Sequence, residues 1–390
     1  LDKTEFLQNQ LDLLKRKSTD DSIEWQDITD FRNAELGLNE HRDTIRKGYK
    51  LLQEYIDAGW DIKKPGAPDK ETYALRKERI KFQTEKLEFN RNLRELARDE
   101  LVIEHIENAI ASLPPIEIPD PIVVDKSEKE YLLCLSDAHF GTEFEIKGLD
   151  GEVINAYSPE VFKERMIKLM SKLIDVIEKE DIYELNIFEL GDGIDGLLRL
   201  SSNLMRLKYG VIESSILYAE YLANWLNVLS KYVVIRFQMV ADSNHNQLRL
   251  CGAPKNAFPE ENMSKVIEAF LKERLKDNPN IEFICNPTGM NFVNLAGYNI
   301  LGIHGEVKKL STAINDISRA YNTHIDYVIA GHKHHAEANE VGINAETIHV
   351  RSIIGVDPYG LSLNAVSNPG VSMFVFEENN GKVCEYTFKL

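Results

Sequence analysis

Five short polar segments, each at the end of an apolar run, constrain this chain more than any other feature. They are Asp137-Ala138-His139, Gly191-Asp192-Gly193-Ile194-Asp195, Asn244-His245, His304 and Gly331-His332-Lys333-His334, with Glu143 and His335 as close bystanders. The runs Tyr131 to Leu135, Leu185 to Leu190, Val233 to Val240, Asn299 to Ile303 and Tyr327 to Ala330 have the length and β-branched or aromatic content of buried strands. Ligand-type residues at strand ends, distant in sequence, are how an α/β fold gathers one site. The expected centre is a two-metal hydrolytic one.

Bulk properties bound the alternatives. At 390 residues, 43% hydrophobic and 28% charged, the chain is long enough for a large buried core. No run of about 18 apolar residues is present, so no spanning helix and no membrane partner are expected. Leu1 to Leu14 carries acidic and amide side chains and does not read as a signal peptide. Cys134, Cys251, Cys285 and Cys384 form no CxxC pair. Cys134 and Cys285 are therefore expected as buried thiols, and a reducing cytoplasm as the compartment. The net charge of −17 argues against a protein wrapped indiscriminately around nucleic acid, although bound metals and local patches would still admit a nuclease.

Pro114, Pro115, Pro119 and Pro121 mark the most secure boundary, because prolines so close together cannot continue a helix. Four regions are expected: 1–65, helical with a candidate helix-turn-helix; 66–113, a long helix that would serve assembly; 114–128, a Pro-rich linker; and 129–390, a catalytic domain. In the first, Ser22 to Leu36 and Asn39 to Ala58 read as helices, with Asn39 as N-cap, Gly37-Leu38 as the turn and Gly59 as the stop. Arg42, Arg46, Lys47 and Lys50 cluster on the second helix, a candidate DNA contact. An ordinary hairpin with a solvated charged face is the alternative. In the long helix, Leu75, Phe82, Phe89, Leu96, Ile103 and Ile110 recur every seven residues, with Ile80, Leu87 and Leu101 on another face. Homo-oligomerisation through this region is one expectation, although a two-stranded coiled coil wants both rows apolar.

The ordered series D-x-H, G-D-x-x-D, N-H, G-x-H and G-H-x-H resembles the calcineurin-like metallophosphoesterase superfamily over roughly residues 129–390. Its layout is most similar to repair-exonuclease-like and phage-encoded members. The resemblance implies a four-layer α/β/β/α sandwich, here preceded by an all-helical N-terminal region. It implies Asp137, His139 and His334 around one divalent ion and Asn244, His304 and His332 around a second, with Asp192 bridging. It also implies a metal-bridging hydroxide that attacks phosphorus, His245 as the catalytic histidine, and Asp195 as the carboxylate that orients it. Imidazole and carboxylate ligands suit Mn, with Fe, Zn or Mg as alternatives. Two departures stand out. The third motif reads Ser243-Asn244-His245-Asn246, where the family has a glycine first and an acid last. Gly196 stands where protein Ser/Thr phosphatases carry a phosphate-binding arginine, which disfavours that branch. Arg199 is a candidate substrate ligand from the same loop.

Between the motifs, Ser158 to Lys179 reads as a helix, and Ser201 to Ser230 contains another long helical stretch. Ile212, Ile216, Tyr218, Leu222, Trp225 and Leu229 form the expected buried side of the second. Glu346 to Ile354, Val371 to Phe376 and Lys382 to Lys389 read as strands completing the family's second sheet. The favoured function is a metal-dependent phosphodiesterase, foremost a DNA nuclease. The alternatives are a phosphatase or phosphodiesterase on nucleotides or other small phosphoesters, and a DNA-binding or scaffold protein with a vestigial site.

Overall fold

The computed structural model describes residues 3–17, 20, 22–58, 74, 77–89, 113–125, 127–196, 205–248, 261–362 and 366–390. Two compact units result, Leu1–Asn92 and Leu93–Leu390. Among the described residues no helix is long and apolar enough to cross a membrane.

The first unit is helical: α1 (Lys3–Lys17), α2 (Trp25–Leu36), α3 (Arg42–Asp57) and α4 (residues 77–89). A capping box of Glu24 and Asp27 opens α2, and Gly37, at φ 64°, closes it in the left-handed conformation that glycine adopts without a Cβ penalty. Helix α3 starts at Arg42, two residues later than an Asn39 cap would place it. Asn39 is not used because Asn33 and Glu40 tie the intervening loop, each pairing with the other's backbone or amide at 2.9–3.0 Å. Gly59 lies outside the described residues. On α4 the apolar side chains Ile80, Phe82, Leu87 and Phe89 are 63–70% exposed.

The second unit has four layers. A six-stranded sheet has the order β13-β12-β1-β4-β5-β6, comprising β13 (Gly381–Lys389), β12 (Gly370–Glu377), β1 (Lys129–Leu135), β4 (Glu184–Glu189), β5 (Val234–Met239) and β6 (Ile281–Phe283). A five-stranded sheet has the order β10-β11-β9-β8-β7, comprising β10 (Glu337–Gly342), β11 (Ala345–His349), β9 (Tyr327–Ala330), β8 (Tyr298–Ile303) and β7 (Asn291–Leu295). Strands β1, β4, β5 and β6 run parallel, as do β8, β9 and β11. A hairpin of β2 (Phe144–Lys147) and β3 (Val153–Tyr157) lies outside both sheets.

Period-two alternation along β1 explains the layering. Leu132 and Cys134 point between the sheets, against Phe188, Ile300, Ile329 and Phe374. Leu133 and Leu135 point outward, toward α5 (Pro159–Lys179), α6 (Val211–Leu229) and α7 (Met263–Leu275). The second sheet's outer face packs Leu301 and Val328 on Leu310 and Ile314 of α8 (Leu310–Tyr321). Each such side chain contributes about 1.5–3 kcal/mol when fully buried. Helix α5 forms where Ser158 caps the Val161 N–H and Pro159 sits in the first turn. Its apolar residues Phe162, Met166, Leu169, Leu173 and Ile177 recur at three- and four-residue steps to make one buried stripe.

Several expectations need correction. Helix α6 (Val211–Leu229) lies within the Ser201 to Ser230 stretch, after turns and a bridge at residues 205–210. Ile212 is 67% exposed, because the first turn of α6 overhangs the core that Tyr218, Leu222, Trp225 and Leu229 fill. Only β11 joins the second sheet; β12 and β13 extend the first, next to β1. Cys285 is exposed, one residue beyond the bond that ends β6 pairing, with its thiol on Glu268 at 3.0 Å. Cys134 is buried, and Cys251 lies outside the described residues.

The Pro-rich segment is extended and strapped down. Glu117 O and Asp120 O accept from Asn227 and Asn280, and Asn280 Oδ1 accepts the Ile122 N–H, all at 2.8–3.0 Å. Its backbone groups thereby find the partners that a strand or helix would have supplied.

Candidate metal centre

The C-terminal ends of β1, β4, β5, β8 and β9 converge, and the polar segments follow them. Five residues there, Asp137, His139, Asp192, His332 and His334, have φ between 43° and 69°. Non-glycine residues seldom enter that region, and such strain concentrates at sites where the chain must turn a side chain inward. Backbone bonds hold the turns in place. Asp137 N–H donates to Gly191 O at 3.2 Å, His139 N–H to Asp192 O at 2.9 Å, and Phe140 N–H to Gly193 O at 2.9 Å.

Asp137, His139 and His334 form one buried group. Asp137 Oδ1 lies 3.4 Å from His334 Nε2 and 3.9 Å from His139 Nε2, and the two Nε2 atoms are 3.2 Å apart. The carboxylate is held from behind by the Ser136 hydroxyl and by the His332 N–H at 2.9 Å. Burial by itself would raise the Asp137 pKa, but His334 and His304 hold it well below the usual carboxylate range.

Asp192, His304 and His332 form a second group, and Asn244 joins it. His304 Nδ1 donates to Leu190 O at 2.8 Å, which leaves Nε2 as the ring's lone-pair atom. That atom faces Asp192 Oδ2 at 3.0 Å and Asn244 Oδ1 at 2.9 Å. Three electron-pair donors converging in a buried pocket repel one another unless a cation or a proton lies between them. A proton alone would have to be held very tightly: burial lowers the His304 pKa, yet Asp192 and Asp137 carry it up to about 10. His332 is shifted the other way, by burial and then by His304, and so keeps its lone pairs. The donor set therefore fits a divalent cation of the imidazole–carboxylate type.

Asp192 links the groups. Its Oδ2 is 3.0 Å from His304 Nε2 and 3.9 Å from His139 Nε2, while Oδ1 accepts the His245 N–H at 2.9 Å. A third cluster, His139, Asp195 and His245, abuts the first. His245 Nδ1 lies 2.6 Å from Asp195 Oδ1, and its ring meets His139 edge-on at 4.3 Å. Burial opposes protonation of His245, but the Asp192 and Asp195 carboxylates raise its pKa.

The altered third motif is accommodated by new bonds. Ser243 Oγ accepts the Asp192 N–H at 2.9 Å, and Gly191 provides the space, since a Cβ there would come within 2.6 Å of Ser243. Asn246 is fully buried, donating to Ser264 Oγ at 2.9 Å and accepting from Ile194 N–H at 3.4 Å. At Gly196 a Cβ would meet His245 O at 1.8 Å, so this backbone has no room for an arginine there.

Arg199 lies outside the described residues. Glu143 faces Lys208, and His335 bonds the Lys333 carbonyl. His41 and His324 sit beside Asp43 and Asp326, and His105 lies outside the described residues. His349, with no role expected, holds the ligand loop by bonding Gly331 O at 3.1 Å. Glu189 was also missed. It is buried behind Asp192, accepts the Gly191 N–H at 3.1 Å, and has Tyr218 beside it. Burial above all raises its pKa to about 8. The only sequence signal for it is an acid inside the apolar run Leu185 to Leu190.

Residues 71–113 match the family model of the YonJ coiled-coil domain. Over 381 residues the chain is 28% identical to the SPbeta prophage-derived uncharacterized protein YonJ of Bacillus subtilis (strain 168), covering 95% of this chain and 93% of that one. Among solved structures, a dimetal phosphatase from Danio rerio is similar at 10% identity and TM-score 0.34, covering 69% of this chain and 99% of that one. A zinc-complexed Vps29 from Entamoeba histolytica is similar at 12% identity and TM-score 0.28, covering 66% and 98%.

Proposed function

We propose that this chain is a two-metal phosphoesterase that cleaves phosphodiester bonds, with DNA as the favoured substrate. The observation that carries this reading is the position of Asp192 Oδ2, one carboxylate oxygen between the His139 and His304 nitrogens of two adjoining donor groups. Asp137, His139 and His334 would hold one ion and Asn244, His304 and His332 the other, Asp192 being shared. When bound, the ion pair supplies Lewis acidity to a phosphate oxygen and an activated water as nucleophile, with Mn the best match to these ligands.

The protein's own groups supply the rest. Asp195 accepts from His245 Nδ1 and, with Asp192, favours the doubly protonated ring, whose Nε2–H would donate to the leaving oxygen or to the charge developing on phosphorus. The first unit supports the choice of DNA: Arg42, Arg46, Lys47 and Lys50 on α3 are all exposed. The exposed apolar residues of α4, in a segment matching a coiled-coil model, support assembly through that helix.

The test is a Mn-supplemented screen of DNA, RNA, monoesters and diesters with wild type and Asp192→Asn. DNA cleavage abolished by the substitution is the expected result. Turnover of small phosphoesters with DNA untouched would overturn the nuclease reading, and no turnover of any substrate would overturn the enzyme.

A further inference from the structure

A cavity of about 470 Å³ opens beside the Asp137 group, walled by Asn155 of β3, His335, Arg351, Val356, Val366 and Asn368. Among the described residues no acidic one lines it, in a chain of net charge −17. Its walls are continuous with the metal centre. His335 follows the ligand His334, and Ile353 and Ile354, just past Arg351, donate to Ser136 O at 3.0 Å and Asp137 O at 3.2 Å. The β3 wall is pinned by Asn155 Nδ2, which donates to Ile354 O and Val356 O at 3.0 and 2.6 Å.

Arg351 is the unexplained group in this wall. Its stem lies against Gly370, where a Cβ would approach Arg351 Cδ to 2.9 Å. Nη1 donates to Ser367 Oγ at 3.3 Å, and Nε is buried without a partner. Among the described residues no carboxylate pairs with it. Two acids in the neighbouring segments are engaged elsewhere: Glu337 with Lys333 at 3.1 Å, and Asp357 with the Gly360 N–H at 2.7 Å. A planar guanidinium fork, part-buried and with no carboxylate partner among the described residues, suits a phosphate. The apolar surface of Val356 and Val366 suits a base or sugar, and the volume lies within the range of small-molecule sites.

We propose that this cavity holds the nucleoside phosphate next to the one at the metal pair, with Arg351 gripping the second phosphate. The proposal rests on the phosphodiesterase reading and assigns it a substrate subsite. Its test is calorimetric binding of thymidine 3′,5′-bisphosphate and of the two thymidine monophosphates to the Mn-loaded full chain. In wild type the bisphosphate binds about tenfold or more tightly than either monophosphate, the gain expected for one charge-assisted phosphate contact. Arg351→Ala removes most of that ratio, and Arg351→Lys keeps part of it. Val366→Trp, at a position 56% exposed and so tolerant of substitution, removes it by filling the cavity. Equal affinities in wild type, or a ratio unchanged in Arg351→Ala and Val366→Trp, would overturn the subsite. Hydrolysis of bis(4-nitrophenyl) phosphate, measured in parallel, separates the two claims. Wild-type inactivity with the ratio intact refutes the catalytic reading alone, and activity with the ratio unaltered by both variants refutes the subsite alone.

Discussion

His245 Nδ1 and Asp195 Oδ1 lie 2.6 Å apart, and the same carboxylate oxygen is 3.8 Å from His139 Nδ1. Asp195 thus touches the histidine that would meet the substrate and one that would hold an ion. Its role toward His245 is positioning, holding the ring by its Nδ1–H so that a second proton on Nε2 is the one free to transfer.

This geometry predicts unequal losses. His245→Ala should lower the rate on DNA by roughly 10²- to 10⁴-fold, and Asp195→Asn by less, with bound metal unchanged in His245→Ala. Both should impair bis(4-nitrophenyl) phosphate less than DNA, because its leaving group needs little protonation. Steady-state kinetics with metal analysis checks this; equal losses on both substrates would contradict the role of proton donor.

The pH dependence of metal-free stability follows from two groups with raised pKa. His304 titrates at about 10 in the folded chain against an ordinary 6.5, so its contribution is complete below about pH 6.5 and is lost as pH rises toward 10. Glu189, raised by burial to about 8 from 4.5, has the same sign, and its contribution fades between those values. Metal-free protein should therefore lose thermal stability from about pH 6.5 to 10, above the range in which His349, lowered by burial to about 4, acts with the opposite sign. Glu189→Gln should flatten the lower part of that slope, and Mn should suppress the His304 part by replacing the proton. Melting curves across pH test it; a Tm that rises with pH in the metal-free protein would contradict the assignments.

Gly196 should tolerate nothing larger. Even Gly196→Ala places a methyl against the His245 carbonyl. It should cost about tenfold or more in kcat/KM while the Tm moves little, because the displaced segment carries His245, the proposed proton donor, and not the core. Wild-type kinetics for this variant would show that the loop relaxes freely.

Much of the site was legible because its chemistry is local to strand ends. Asp137, His139, Asp192, His304, His332 and His334 each follow an apolar run, and the backbone turn after each run aims the side chain inward. The supports were not legible. Glu189, His349 and Arg351 all lie inside strand-like runs, so only the closed sheets show what they face. Strand partners were hidden for a related reason. β12 and β13 alternate as well for one sheet as for the other, and only packing against β1 decides. Asn39 failed as a cap because a non-local pair, Asn33 with Glu40, took over the turn.

The central claim is that two adjoining donor groups share Asp192, and metal stoichiometry tests it most directly. Wild type equilibrated with Mn and freed of excess should retain about two ions per chain by elemental analysis, and Asp192→Asn about one or fewer. A wild type that retains none, or an Asp192→Asn that retains the wild-type number, would contradict the account.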